Sequence, residues 1–311
     1  MANDTTNNVI GNKFLTGFLI AIVLNFYILH CIVTSMSFAG NEKLFPRSYT
    51  EASDLQKVSL TPTHHTYSIW GFNCFLQLAW ILFTLISLCN NGTAANILDK
   101  KFYGAYMFGI VAISVWLFVW SNLESGTSLA MLIMNQIFLD YAFAFSCLNL
   151  RNYLKTNEIS DENSTDVWCH RILIQNGILF YATWNFMLCM QNMAIVIHHG
   201  LGASDQTSSA VTLTIFILSV FAFFVLENCY FGEYMEYTIT FYFGVIWVLG
   251  GIFTEVWGEN NAIGGVVLGM LLIVCILWVI RCYIVWVKYK VDNSDGELAK
   301  KDEKVSLVGK N

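Results

Sequence analysis

Apolar residues in this chain come in long unbroken runs. Eight stretches, roughly 14–36, 67–89, 102–120, 127–149, 172–197, 209–228, 236–256 and 263–287, are dominated by them, and nothing between them is large enough to fold alone. A helix rises about 1.5 Å per residue, so about 20 residues cross about 30 Å of hydrocarbon, and every stretch meets or nearly meets that length. The pattern predicts an all-α, polytopic transmembrane helical bundle of about eight spans. It divides the chain into a short N-terminal segment, 1–13, one transmembrane domain, 14–290, with a long polar loop at 38–66, and a polar tail, 291–311, expected to be disordered.

Composition strengthens this reading. Hydrophobic residues make up 56% of the chain, charged residues 12%, and the mean hydropathy is +0.55, outside the soluble norm. Only two prolines occur, Pro46 and Pro62, both in the loop after the first span. The spans are therefore expected to be continuous, which counts against the broken helices of many secondary transporters. Lys13, Lys100, Lys101, Arg151, Lys155, Arg171, Lys288 and Lys290 fall on the side of the N-terminus, against Lys43, Arg47 and Lys57 on the other. Short loops rich in Lys and Arg stay cytoplasmic, so both termini are expected there. Three Asn-x-Ser/Thr sequons, at Asn3, Asn91 and Asn163, lie on the same side and would argue the reverse; the charge bias is given more weight. The first span is too long for a signal peptide's apolar core and reads as an anchor.

No familiar catalytic signature is present. The nine cysteines include no Cys-x-x-Cys pair, and seven of them lie within or at the edges of spans, where a thiol behaves as a small hydrophobe. A Gly-rich phosphate loop, a Gly-x-Ser-x-Gly elbow and a His-Glu-x-x-His helix are all missing. The reading leans away from an enzyme, and no nucleic-acid partner is expected.

Polar and aromatic residues within spans are the informative ones, because an unpaired polar group in hydrocarbon is costly. On the side away from the termini, and in the middle of the bundle, fall His30, Trp70, Asn73, Trp116, Trp120, Asn135, Gln136, Trp184, Gln191, Asn192 and Trp247. In the fifth span Trp184, Leu188, Gln191 or Asn192, Ile195 and His199 recur at helical spacing and share one face. An aromatic plate beside amides suits a ligand with a flat apolar body and a polar edge. The plainer alternative is interfacial tryptophan and amides that hydrogen-bond to neighbouring helices. Asp140, with Gln136 one turn earlier, is read as the acid well inside a span, and Arg281 lies at a comparable depth. The two are expected to meet, and proton or ion translocation is the functional reading of such a pair. His64–His65 and His198–His199 flank spans; adjacent residues on a helix diverge, so no metal site is assigned.

The run Leu60-Thr-Pro-Thr-His-His-Thr-Tyr-Ser-Ile-Trp-Gly71 resembles the signature that opens a span in the tryptophan-rich sensory proteins, the TspO or translocator-protein group. Three more matches follow in order. Trp116-Leu-Phe-Val-Trp120 resembles that group's Trp-x-Phe-x-Trp, Trp184 with Asn192 its Trp and Asn eight apart, and Trp247 through Gly251-Ile252 its Trp-x-x-x-Gly-Ile. The likeness spans nearly the whole chain, with departures at His64, His65 and Ile113. It implies a helical bundle of the larger, eight-span type, whose smaller relatives bind porphyrins, sterols or aromatic drugs beneath the loop after their first span. By that resemblance the loop 38–66 is a lid and Trp70, Trp116, Trp120, Trp184, Asn192 and Trp247 belong to the ligand wall, to which the depth of the polar residues adds Asn135 and Gln191. A porphyrin or haem, another tetrapyrrole, or a sterol would be the ligand. Val279, Tyr283 and Lys288 fit a sterol-contact spacing, but so do Leu150, Tyr153 and Lys155, which leaves the pattern little weight.

Two function classes follow. One is a non-enzymatic binder, sensor or carrier of a flat apolar ligand; the alternative is a secondary transporter or proton-coupled carrier using Asp140 and the histidines of the lid side. Membrane lipid is the expected surrounding, and the oligomeric state is left open, a homodimer included.

Overall fold

A computed structural model describes residues 2–90, 92, 97–156, 164–258 and 261–308; the sequons at Asn91 and Asn163 lie outside the described residues. Among the described residues the chain forms nine helices and no strand. They are α1 (Ala2–Phe38), α2 (Tyr49–Leu55), α3 (His64–Cys89, opening with a 3₁₀ turn), α4 (Lys100–Ser121), α5 (Ser125–Thr156), α6 (Thr165–Gly200), α7 (Asp205–Tyr230), α8 (Thr240–Val256) and α9 (Asn261–Val308). Seven are long and apolar enough to cross a membrane. The eighth expected span is α8, whose 17 residues reach the short end of the spanning range. The tail expected to be disordered continues α9 as far as Val308. Extending an existing helix costs far less than nucleating one, so a span readily propagates into a polar flank.

Helix α6 is the axis of the bundle. Within its most apolar window 83% of residues are buried, against 22–50% for the other six long helices. It packs against α3, α5, α7 and α8, so little of its surface is left facing outward. That explains its polar content: Gln175, Asn176, Thr183, Asn185, Gln191 and Asn192 are all buried. The close approach of α8 depends on Gly244, where a Cβ would lie 2.9 Å from Thr183 Cγ2. Three π-helical turns interrupt the long helices, at His170–Gln175, Val196–Gly200 and Leu226–Tyr230.

The segment between α1 and α3 folds down onto one end of the bundle, called here the lid end. Ser48 caps α2 in a capping box with Glu51. Arg47 Nη1 donates to the Ser121 carbonyl at 3.3 Å, Lys57 pairs with Glu255 at 2.6 Å, and the Ser59 amide donates to Asp205 at 3.0 Å. Phe45 stacks on Phe118 with ring centroids 4.7 Å apart. The lid is therefore pinned to α4, α7 and α8 at once.

A cluster of orphaned polar groups beneath the lid

Tryptophans from three helices meet under the lid. Trp70 of α3 lies parallel to Trp116 of α4, with centroids 6.4 Å apart and planes 12° apart, while Trp184 of α6 meets Trp70 edge-on at 5.8 Å. Trp120 sits one turn beyond Trp116, at 5.7 Å. Tyr49 of α2 covers the cluster, edge-on to Trp116 at 6.0 Å and to Tyr67 at 5.0 Å. Burial pushes the Tyr49 hydroxyl well above its ordinary pKa, with Tyr67 beside it adding to the shift, so it stays a neutral part of the stack. These rings fill the space between one another, and the expected common pocket among them is packed shut.

The polar atoms of the cluster fall into two groups. In the first, every donor is used internally. Trp116 Nε1 donates to Ser128 Oγ at 2.6 Å, Ser128 donates to Asn192 Oδ1 at 2.8 Å, and Asn192 Nδ2 donates to the Leu188 carbonyl at 3.0 Å. Trp120 Nε1 donates to the Tyr49 carbonyl at 3.3 Å. Asn192, expected to orient a ligand, thus has both polar atoms engaged in a tie between α4, α5 and α6. Asn135 donates to Asn185 Oδ1 at 2.7 Å and presses its own oxygen against Gly109 of α4. Trp247, expected as a wall, is 41% exposed on the outer side of α8, and its Nε1 donates to the Thr66 carbonyl at 3.0 Å. Gly251, one turn on, has Thr66 so close that a Cβ would fall 2.8 Å from Thr66 Cγ2. The Trp247 and Gly251 pair therefore docks the entry to α3.

The second group is left open among the described residues. Trp70 Nε1, both amide atoms of Asn73 and Trp184 Nε1 are buried and unpaired there, and Gln191 Nε2, near the Tyr67 hydroxyl, makes no hydrogen bond of normal geometry. A buried polar group left unsatisfied costs about 1–3 kcal/mol, so such a concentration needs a reason. All five atoms belong to residues that line voids. One void, with a cavity volume of about 20 Å³, lies between α6, α7 and α8 and is bounded by Trp184, Met187, Gln191, Phe216 and Leu249, with Leu60 and Pro62 of the lid above. The other, of about 10 Å³, lies deeper between α1, α3, α4 and α6, bounded by Tyr27, His30, Trp70, Asn73, Gln77 and Tyr181. Tyr181 adds another unpartnered hydroxyl there, while His30 Nδ1 is bonded to Ser114 Oγ at 2.9 Å. Trp70, Trp184 and Gln191 line these voids; Trp116, Trp120, Asn135, Asn192 and Trp247 line neither.

Asp140 and Arg281 do not meet, contrary to the expectation from their depth. Arg281 Nε lies 3.2 Å from Glu227 Oε1, both side chains being buried near the end of the bundle opposite the lid. Thr238 and Tyr242 donate to Glu227 at 2.6 and 2.7 Å, while Arg281 also donates to Asn228 Oδ1 at 2.9 Å and to the carbonyls of Thr238 and Met235. The reason is geometric: α7 and α8 supply the neighbours of α9 there, and the π turn at Leu226–Tyr230 carries Glu227. Glu227 was overlooked because it stands at the edge of its apolar run, where an acid reads as a solvated flank. Tyr49, Tyr67 and Ser128 were also missed, though Tyr67 lies inside the motif that opens α3.

Among the described residues no group of three or more His, Cys, Asp or Glu side chains could hold a metal ion. His198 and His199 adjoin each other with ring centroids 4.5 Å apart, and His64 lies 3.5 Å from Asp54.

These features define an integral, multi-pass membrane protein built as an all-helical bundle with a docked lid. The profile of the family described as TSPO-like protein matches residues 20–281, and the chain belongs to that family. No match is found among curated proteins or among solved structures.

Proposed function

We propose that this TSPO-like protein is a non-enzymatic binder, acting as sensor or carrier, of a flat and largely apolar molecule with one polar edge, of the sterol or tetrapyrrole class. The observation that carries the reading is Trp184 Nε1, buried without a partner among the described residues, beside Gln191 at an apolar void roofed by the lid. Aromatic and aliphatic side chains supply buried area there, and the two donors would orient a hydroxyl, carbonyl or carboxylate. As it stands the void has room for about 20 Å³, about one water, so a ligand would enter only as the lid and the side chains around Trp184 give way. No histidine lines this void, so nothing in it favours haem over a metal-free ring.

Titration of the protein in detergent with cholesterol and with protoporphyrin, followed by tryptophan fluorescence, tests the reading. Replacing Trp184 and Gln191 together by Leu should weaken binding of the true ligand class by at least about tenfold. Unchanged affinity, or no saturable binding of either probe, would reject it. The Lys and Arg bias supports placing both termini in the cytoplasm and the lid on the far side. Single cysteines at Lys101 and Ser204 should then label from opposite sides, with the former protected in intact cells.

A further inference from the structure

A second set of unexplained polar groups lies halfway along the bundle, on its side. Asp140 stands mid-way through α5 and is exposed at the flank, where lipid surrounds a span. A crevice of about 180 Å³ opens beside it between α5, α6, α7 and α8, bounded by Gln136, Asp140, Thr183, Phe186, Phe223 and Phe241. Asp140 is the one ionisable residue in that lining. No cation partners it among the described residues, in contrast to Glu227, whose charge is met by Arg281.

The carboxylate is also held by a directed chain of amides. Asn135 Nδ2 donates to Asn185 Oδ1 at 2.7 Å, Asn185 Nδ2 donates to Gln136 Oε1 at 2.9 Å, and Gln136 Nε2 donates to Asp140 Oδ1 at 2.9 Å. Asn185 donates to the Leu132 carbonyl as well, which fixes the sense of the chain. Every dipole points its positive end towards Asp140, so the chain polarises cooperatively towards the carboxyl. Oδ2 is left without a protein donor among the described residues. Phe223 and Phe241 stack at 3.9 Å between centroids and present aromatic surface to the same crevice. A carboxyl group at membrane depth beside aromatic rings is complementary to one kind of guest, an organic cation with an apolar body.

We propose that this crevice is a site, entered from the lipid, for a lipophilic amine in its ammonium form. The nitrogen meets Asp140 Oδ2, and the hydrocarbon lies along Phe186, Phe223 and Phe241. The site is separate from the void beneath the lid, and the proposal stands or falls without the function proposed above.

Equilibrium binding of radiolabelled dodecylamine and, in parallel, dodecanol to the full chain in phosphatidylcholine nanodiscs provides the test, with empty nanodiscs as the partition control. The expected result is saturable dodecylamine binding above the control, with dodecanol at least about tenfold weaker. Asp140→Asn, which preserves shape, should remove that preference. Ser219→Phe, which fills the crevice from the α7 side, should abolish binding of both. Trp184→Leu should leave dodecylamine binding intact, which keeps this site distinguishable from the one under the lid. Equal binding of amine and alcohol by the unaltered chain, no saturable excess over empty nanodiscs, or full retention of amine binding by Asp140→Asn would each overturn the proposal.

Discussion

Both ends of this bundle are rich in buried polar groups, and one cluster at each end treats them in the opposite way to the other. At the end away from the lid, Glu227, Arg281, Thr238, Tyr242 and Asn228 form a network in which the ionic groups are matched by donors and acceptors. Asn176 nearby donates to the carbonyls of Arg171 and Tyr237 and accepts from the amides of Ile239 and Thr240. At the lid end Asn73 makes none of its side-chain hydrogen bonds among the described residues, and Trp70 and Trp184 keep N–H groups unused there. A closed network specifies how helices and loops assemble; open valences around a void are what a ligand can complete. Abundance of polar residues distinguishes neither end.

The largest effect that separates the two ends is expected at Arg281. Arg281→Leu strands the Glu227 charge and should lower stability by about 3–5 kcal/mol, read as thermal unfolding in detergent. The double replacement with Glu227→Leu should be milder than the sum of the single changes, because it removes the stranded charge. A loss below about 1 kcal/mol for Arg281→Leu would show that the network is wetter than its burial implies.

Next is a matched pair of amides. Asn176→Leu removes a fully engaged side chain and should cost about 1–3 kcal/mol, whereas Asn73→Leu removes an unpartnered one and should be neutral or stabilising. Equal losses at both sites would break the contrast between a closed and an open end. Gly251→Ala should cost about 1–3 kcal/mol through its clash with Thr66, and Thr66→Ala should restore most of it. If the alanine is tolerated alone, the docking of α3 on α8 is looser than the contact indicates. The smallest change is Trp247→Phe, which deletes the bond to the Thr66 carbonyl and should cost about 1 kcal/mol without altering ligand affinity. A lost affinity there would mean that the exposed face of α8 belongs to a site.

Much of the architecture was legible in the sequence for a simple reason. Crossing hydrocarbon is a one-dimensional requirement, met by a run of apolar residues, so the spans and the long polar loop between α1 and α3 can be read directly. The order of tryptophan motifs led to the family as well. The candidate site was legible only in part. Trp70, Trp184 and Gln191 line voids, whereas Asn192, from the same face of the same helix as Trp184, is consumed by Ser128. Ser128 belongs to another span, and nothing local to Asn192 announces it.

By itself, then, the chain's sequence determined the solvent, the number and order of apolar helices and the stretch that could close one end, since each depends on the hydropathy of contiguous residues. The tertiary structure alone decided which acid neutralises Arg281, why glycine stands at 251, and which indoles keep a free N–H. Those outcomes turn on partners brought together from distant segments, Trp247 and Thr66 being 181 residues apart, and the satisfaction of a polar atom is a property of the pair.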